Sequence, residues 1–133
     1  MIKIFTVLMM VFTFNYANDY KSFASKMNYH LNYNKALELA KKENKDLMVV
    51  MVANFCPWCV KFEKLILEKP KHDKKIKENF IPLIINREEG NFPTFLDTPI
   101  VPTIYFIDNK TETIKHKVVG YNNRLDFLNL IDK

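Results

Sequence analysis

The chain has 133 residues, 48% hydrophobic and 26% charged, with a net charge of +5. That length holds one domain with a real core, and that composition is the globular range, which excludes disorder and low complexity. Two glycines leave no glycine-rich phosphate loop, and two cysteines exclude both a disulfide-stapled miniature fold and a four-cysteine zinc module.

At the start, Lys3 precedes an uncharged apolar run from Ile4 to Phe14. At 1.5 Å per residue that run covers about half of a ~30 Å hydrocarbon core, too little for a comfortable membrane span. A positive start, a short apolar stretch and the small residue Ala17 read as a secretory signal over residues 1–17, cut after Ala17. Asn15 stands where a small residue is preferred, and an uncleaved anchor is the alternative. No cysteine is near enough for a lipid anchor. The mature chain, 18–133, is then expected to carry no membrane span and to work in an oxidising compartment, periplasmic or secreted.

Asn18 to Leu31 is polar with scattered aromatics and reads as an irregular lead-in. Tyr33, Ala36, Leu37 and Ala40 recur at helical spacing and predict a helix over 34–45, capped by Asn32 or Asn34. Leu47 to Ala53 is a continuous apolar run, as in a central strand buried on both faces. A helix follows from Pro57, with Val60, Phe62, Leu65 and Ile66 as its apolar side, until Lys69-Pro70 interrupts it. Lys71 to Phe80 predicts a further helical turn or two. Ile81 to Asn86 reads as a second buried strand, with Pro82 at its start.

Arg87 to Ile100 is mostly loop. Thr103 to Asp108 and Thr113 to Val119 form a hairpin, and Asn122 to Lys133 closes the chain as a helix through Leu125, Leu128 and Ile131. The lysine-dense stretch Lys69 to Lys77 reads as a solvated helix face, with a docking surface for acidic partners as the alternative. Arginine occurs only at 87 and 124, and no recognition motif is present, so nucleic acid is not an expected partner.

The chemistry concentrates in Cys56-Pro57-Trp58-Cys59, where a buried strand hands over to a helix. Unpaired backbone N–H groups and the dipole at a helix N-terminus favour a thiolate, the nucleophile of disulfide exchange. The spacing puts both sulfurs on one face, close enough to bridge. Cys56, at the very start of the helix, is the expected exposed attacker, and Cys59, one turn inside, the resolving thiol. Pro57 fits the first turn, where its missing donor is tolerated. A static disulfide remains open as an alternative. Zinc would need further ligands, and His30, His72 and His116 are scattered. Met48 and Met51 would suit copper but read as core. No metal and no cofactor beyond the redox-active disulfide is expected.

With Val101-Pro102-Thr103 before the third strand, the chain resembles the thioredoxin superfamily over about residues 32–133. The resemblance implies an α/β thioredoxin-like fold, a central mixed β-sheet flanked by helices. It implies that Pro102 is cis and faces the cysteine pair, and that the Val101 backbone pairs with an extended substrate segment. Phe55, Pro57, Trp58, Val101 and Thr103 would then make the substrate contacts. Trp58 would shape that contact or cover the sulfurs; plain packing is the alternative. Val119-Gly120-Tyr121 is similar to the glycine-bearing turn of these proteins.

The order and spacing from Asn34 through Phe55-Cys-Pro-Trp-Cys-Val-Lys-Phe-Glu63 look like exported thioredoxin-like proteins and the C-terminal domain of bacterial thiol:disulfide interchange reductases. Glutaredoxins share a Cys-Pro-aromatic-Cys centre, but their glycine pair after the hairpin is missing here. The buried aspartate of cytosolic thioredoxins is replaced by Val50, and their partner lysine by Pro82 or Leu83. That leaves Glu63, acting through water, as the candidate proton acceptor for Cys59, against its reading as a solvated surface glutamate.

The resemblance thus implies a monomeric, exported thiol–disulfide oxidoreductase. Reduction of protein disulfides is favoured, because a small domain without an inserted helical domain looks like the reducing branch. Its partners would be protein thiols and disulfides and an upstream redox protein such as a membrane thiol:disulfide reductase. Oxidation or isomerisation is the second reading, and a non-enzymatic metallochaperone or assembly factor the third.

Overall fold

Six consecutive apolar residues, Leu47 to Val52, give a strand no face to offer to water, and all six are 0% exposed. In the computed structural model, which describes residues 19–133, they belong to β1, Asp46–Val52. The signal and cleavage site read from residues 1–17 lie outside the described residues. Beside β1 runs β2, Phe80–Asn86, in parallel from Asp46↔Phe80 to Val52↔Asn86. On its other side β3, Thr103–Ile107, is antiparallel, and β4, Ile114–Val119, pairs antiparallel with β3. The sheet order is β2-β1-β3-β4. The hairpin is as the sequence predicts, and the mixed sheet as the resemblance implies.

The pleat divides the core into two layers. Met48, Val50 and Val52 point into one layer, Leu47, Val49 and Met51 into the other. The second layer is covered by α2, Tyr33–Glu43, through Tyr33, Ala36, Leu37 and Ala40. Asn32 caps this helix, its side-chain oxygen accepting from Lys35 N–H at 3.0 Å, and Asn44 ends it in the left-handed region.

The first layer is built against the helices that connect β1 to β2 and close the chain. α3, Pro57–Phe62, continues into a π-helical turn, Glu63–Leu67. After the break at Lys69, α4, Pro70–Asn79, runs the full distance to β2. It is longer than the turn or two expected, because Pro70 occupies its first position, where a proline starts a helix rather than breaking it. The last helix, α5, Arg124–Ile131, follows a 3₁₀ turn over Tyr121–Asn123.

Three expectations are corrected. The lead-in is not irregular: α1, Tyr20–Met27, buries Tyr20, Phe23 and Ala24, and Asp19 caps it by accepting from Ser22 N–H at 3.0 Å. Two turns among lysines and serines leave too few apolar positions for a period to register. On the helix after the cysteines, Cys59, Phe62, Glu63, Ile66 and Leu67 are buried while Leu65 is 45% exposed. The buried stripe takes its phase from Cys59, so Leu65 falls outside it. In α5 the core residue is Phe127, with Ile131, and Leu125 is exposed. Phe127 sits edge-on to Phe62 at 5.1 Å and 6.1 Å from Phe106, an aromatic contact a leucine does not match. The residue preceding α5 is Asn123, whose amide donates to the Val119 carbonyl at 2.7 Å.

Phe127→Ala is expected to cost about 3–5 kcal/mol, and Leu125→Ala to stay within about 0.5 kcal/mol. Urea midpoints at unchanged slope measure both.

Candidate functional site

β1 runs out of sheet at Val52, and four residues later the chain must start a helix. Asn54 fixes that joint. Its side-chain oxygen accepts from the Asn86 amide at 2.7 Å, and its backbone N–H donates to Glu88 Oε2 at 3.1 Å. The Asn86 side-chain oxygen in turn accepts from Glu88 N–H at 3.0 Å. The ring of bonds ties the residue before Phe55 to the end of β2. Asn86 is 2% exposed while Asn54 and Glu88 face solvent, so the ring hangs on one buried amide whose bonds count most.

Cys56 is the residue that caps α3. Its Sγ accepts from Cys59 N–H at 3.1 Å, and its carbonyl accepts from the N–H groups of Cys59 and Val60. A sulfur thus takes the place that a serine or aspartate oxygen takes at other helix starts. The two sulfurs are joined in a disulfide, with the Cα atoms 5.2 Å apart. The expectation of an exposed Cys56 is corrected for this oxidised state: Cys56 is 5% exposed and Cys59 0%. The capping bond and the disulfide turn its sulfur inward. The neighbours are what face solvent, with Phe55 80% and Trp58 54% exposed and Pro57 also open.

The pairing Met51↔Thr103 sets the start of β3 beside the end of β1, so the Val101–Pro102 peptide stands at the same end of the sheet as the cysteines. That peptide bond is cis. The Pro102 carbonyl accepts from Gly120 N–H at 2.8 Å, and Thr103 is buried, its hydroxyl donating to the Ile100 carbonyl at 2.6 Å. Gly120 has φ +79°, a conformation that suits glycine.

Between Trp58 and this segment lies an open groove of about 480 Å³, with Ile100, Val101, Gly120 and Tyr121 in its walls. The sequence reading missed part of that wall. The Trp58 ring leans on Tyr121 at 5.4 Å, Lys61 Nζ lies 5.0 Å from the first ring and 5.2 Å from the second, and Arg124 lies 4.8 Å from the Tyr121 ring. Trp58 is therefore both packed and exposed.

On the cysteine side of the sheet the core is apolar: Val50 and its β2 partner Ile84 are 0% exposed and Pro82 is buried, while Leu83 faces the other layer. The surface reading of Glu63 is corrected. It is 5% exposed, because it falls on the Cys59 stripe, and it borders a cleft of about 310 Å³ shared with Phe23 and Lys26 of α1. Burial, and then the Asp73 carboxylate, hold the Tyr29 phenol in the same layer above its ordinary range, so it is no base at neutral pH. Among the described residues no group of three or more His, Cys, Asp or Glu is arranged to hold a metal, and no helix is long and apolar enough to cross a membrane.

Residues 33–133 match the profile of a thioredoxin-like domain. The chain is 34% identical over 93 residues to Anterior gradient protein 3 of Xenopus tropicalis, covering 69% of this chain and 56% of that protein. It is 32% identical over 94 residues to Anterior gradient protein 2 homolog of Homo sapiens, covering 70% and 53%. The chain thus spans about half the length of the curated relatives it matches. A thioredoxin from Thermus thermophilus superposes with a TM-score of 0.67 at 21% identity, over 78% of this chain and 84% of that one, which speaks for the fold.

Asn86→Ala opens the ring around Asn54 and is expected to cost about 1–3 kcal/mol, whereas the exposed Asn91→Ala stays within about 0.5 kcal/mol. Equilibrium unfolding of the oxidised protein separates the two.

Proposed function

Because the chain belongs to the thioredoxin-like domain family, we propose that it is an exported thiol–disulfide oxidoreductase that reduces disulfides in other proteins. The observation that carries this reading is the Cys56–Cys59 disulfide on the first turn of α3, at the sheet end where the cis Val101–Pro102 peptide stands. Export rests on the basic-then-apolar pattern of residues 1–17. The electron donor that recycles the protein is a dithiol protein, for which a membrane thiol:disulfide reductase is a fitting class.

In the reduced protein the Cys59 N–H that now points at Cys56 Sγ would stabilise a Cys56 thiolate. That thiolate attacks one sulfur of a substrate disulfide. The substrate's S–S bond breaks, a Cys56–substrate disulfide forms, and the second substrate sulfur leaves as a thiolate that takes a proton from solvent. Cys59 then loses its proton, attacks Cys56 Sγ and releases the first substrate sulfur as a thiol. Two electrons have passed to the substrate, and the chain is left with the Cys56–Cys59 disulfide.

Glu63, on the same buried stripe as Cys59 and bordering a cleft, is the proton acceptor we assign to the second step, through water. Val101 offers its main chain to an extended substrate beside the groove, with Phe55, Pro57 and Trp58 as the apolar rim and Thr103 holding the Ile100 turn.

Cys56→Ser is expected to abolish reduction of insulin disulfides by the dithiol-loaded protein. Cys59→Ser is expected to accumulate substrate-linked protein, visible as a slower band on non-reducing gels that disappears with reductant. Activity unaffected by either change would sink the reading.

A further inference from the structure

Two of the rings that line the groove beside the disulfide carry cations at its edge. Trp58 and Tyr121 face each other at 5.4 Å, and two cations lie on them: Lys61 over both rings, and Arg124 over Tyr121. Aromatic faces attract a cation without neutralising it, so the charge stays available to a third group. The ion pairs among the described residues occupy ten contacts elsewhere, and neither Lys61 nor Arg124 takes part in any of them. Arg124 also donates to the Tyr121 carbonyl at 3.4 Å, which holds its guanidinium against the ring.

Glu88 lies on the Asn54 side of the disulfide. There it accepts from Asn54 N–H and stands 3.7 Å from Arg87, so it does not answer the two cations. Rings that hold Lys61 and Arg124 in place reduce the side-chain entropy each would lose on meeting an anion.

We propose that this cluster at the edge of the groove, Trp58–Lys61–Tyr121–Arg124, makes the site selective for substrate segments with an acidic side chain flanking the reacting cysteine. The selectivity deepens the oxidoreductase reading and rests on it. In the complex the substrate main chain lies along Val101, its apolar side chains meet Trp58 and Ile100, and its carboxylate meets Lys61 and Arg124. The chemical step is the exchange already written, with no change in its electrons or protons.

Trp58 is the chain's single tryptophan, so its fluorescence reports on the cluster directly. The experiment titrates oxidised protein with three peptides that are identical but for aspartate, asparagine or lysine beside the central position, where serine replaces cysteine. The aspartate peptide is expected to bind about three- to tenfold more tightly than the asparagine peptide, and the lysine peptide more weakly than either. The preference should fade at about 1 M salt, where screening reaches ~3 Å. Lys61→Gln with Arg124→Gln should bring the aspartate-to-asparagine ratio close to one, Lys61→Arg should retain it, and the remote Lys74→Gln should leave it unchanged.

Equal binding of the three peptides by the unaltered protein, or a preference that survives the double change, overturns the proposal. The corresponding disulfide-containing peptides, offered to the reduced protein, test the underlying reading separately. Reduction of all of them at equal rates overturns the selectivity alone; no reduction of any overturns the oxidoreductase reading.

Discussion

Burial of β1 on both faces is the constraint from which the rest of the molecule is arranged. A strand with six residues fully withdrawn from water needs a strand on each side to take its hydrogen bonds and a helical layer on each face to cover its side chains. β2 and β3 meet the first need; α2 on one face, and α3, α4 and α5 on the other, meet the second. The strand can then end only at its solvent-facing tip, and it is there that Cys56 starts a helix. The same burial explains why Val50 is apolar. A carboxylate at that place would need a buried partner, and Pro82 and Ile84 on the neighbouring strand supply none.

The tip is held from two directions. Asn54, Asn86 and Glu88 fasten the joint to β2, while the Gly120–Pro102 bond fastens the cis peptide to the turn after β4. Neither fastening touches a sulfur. The Cys56–Cys59 pair is thus set on a frame held by contacts other than its own, save the α3 cap that Cys56 Sγ accepts from Cys59 N–H.

Much of this frame was legible in the residues. Long apolar runs identify β1 and β2, because strands buried on both faces need no polar alternation, and the helical spacing of Tyr33, Ala36, Leu37 and Ala40 identifies α2. The cysteine pair and its place at a strand-to-helix joint were legible for the same reason. What escaped depends on contacts between distant parts of the chain. α1 is too short to show a period, and its burial comes from meeting the sheet layer. Leu65 and Leu125 have the right chemistry for a core but fall outside stripes whose phase Cys59 and Phe127 set. Tyr121 and Trp58 are separated by the whole hairpin and its preceding strand, so their contact exists only once the sheet has formed. The cis bond at Pro102 followed from family resemblance; nothing in the residues alone distinguishes it from a trans proline.

The two outer edges of the sheet are finished differently. On the β2 side a single residue, His30, donates to the Pro82 carbonyl at 2.9 Å and accepts from Ile84 N–H at 3.0 Å, so that edge is already occupied along part of its length. On the other side β4 is exposed from Ile114 to Lys117 and carries Lys115 and Lys117 on alternate positions. Lys115 is already paired with Asp46 at 2.7 Å, so Lys117 is the charge that a second copy pairing along β4 would have to meet, and a charge on an edge strand weakens such a ladder. Pairing with a second copy is thereby disfavoured at the remaining bare edge of the sheet.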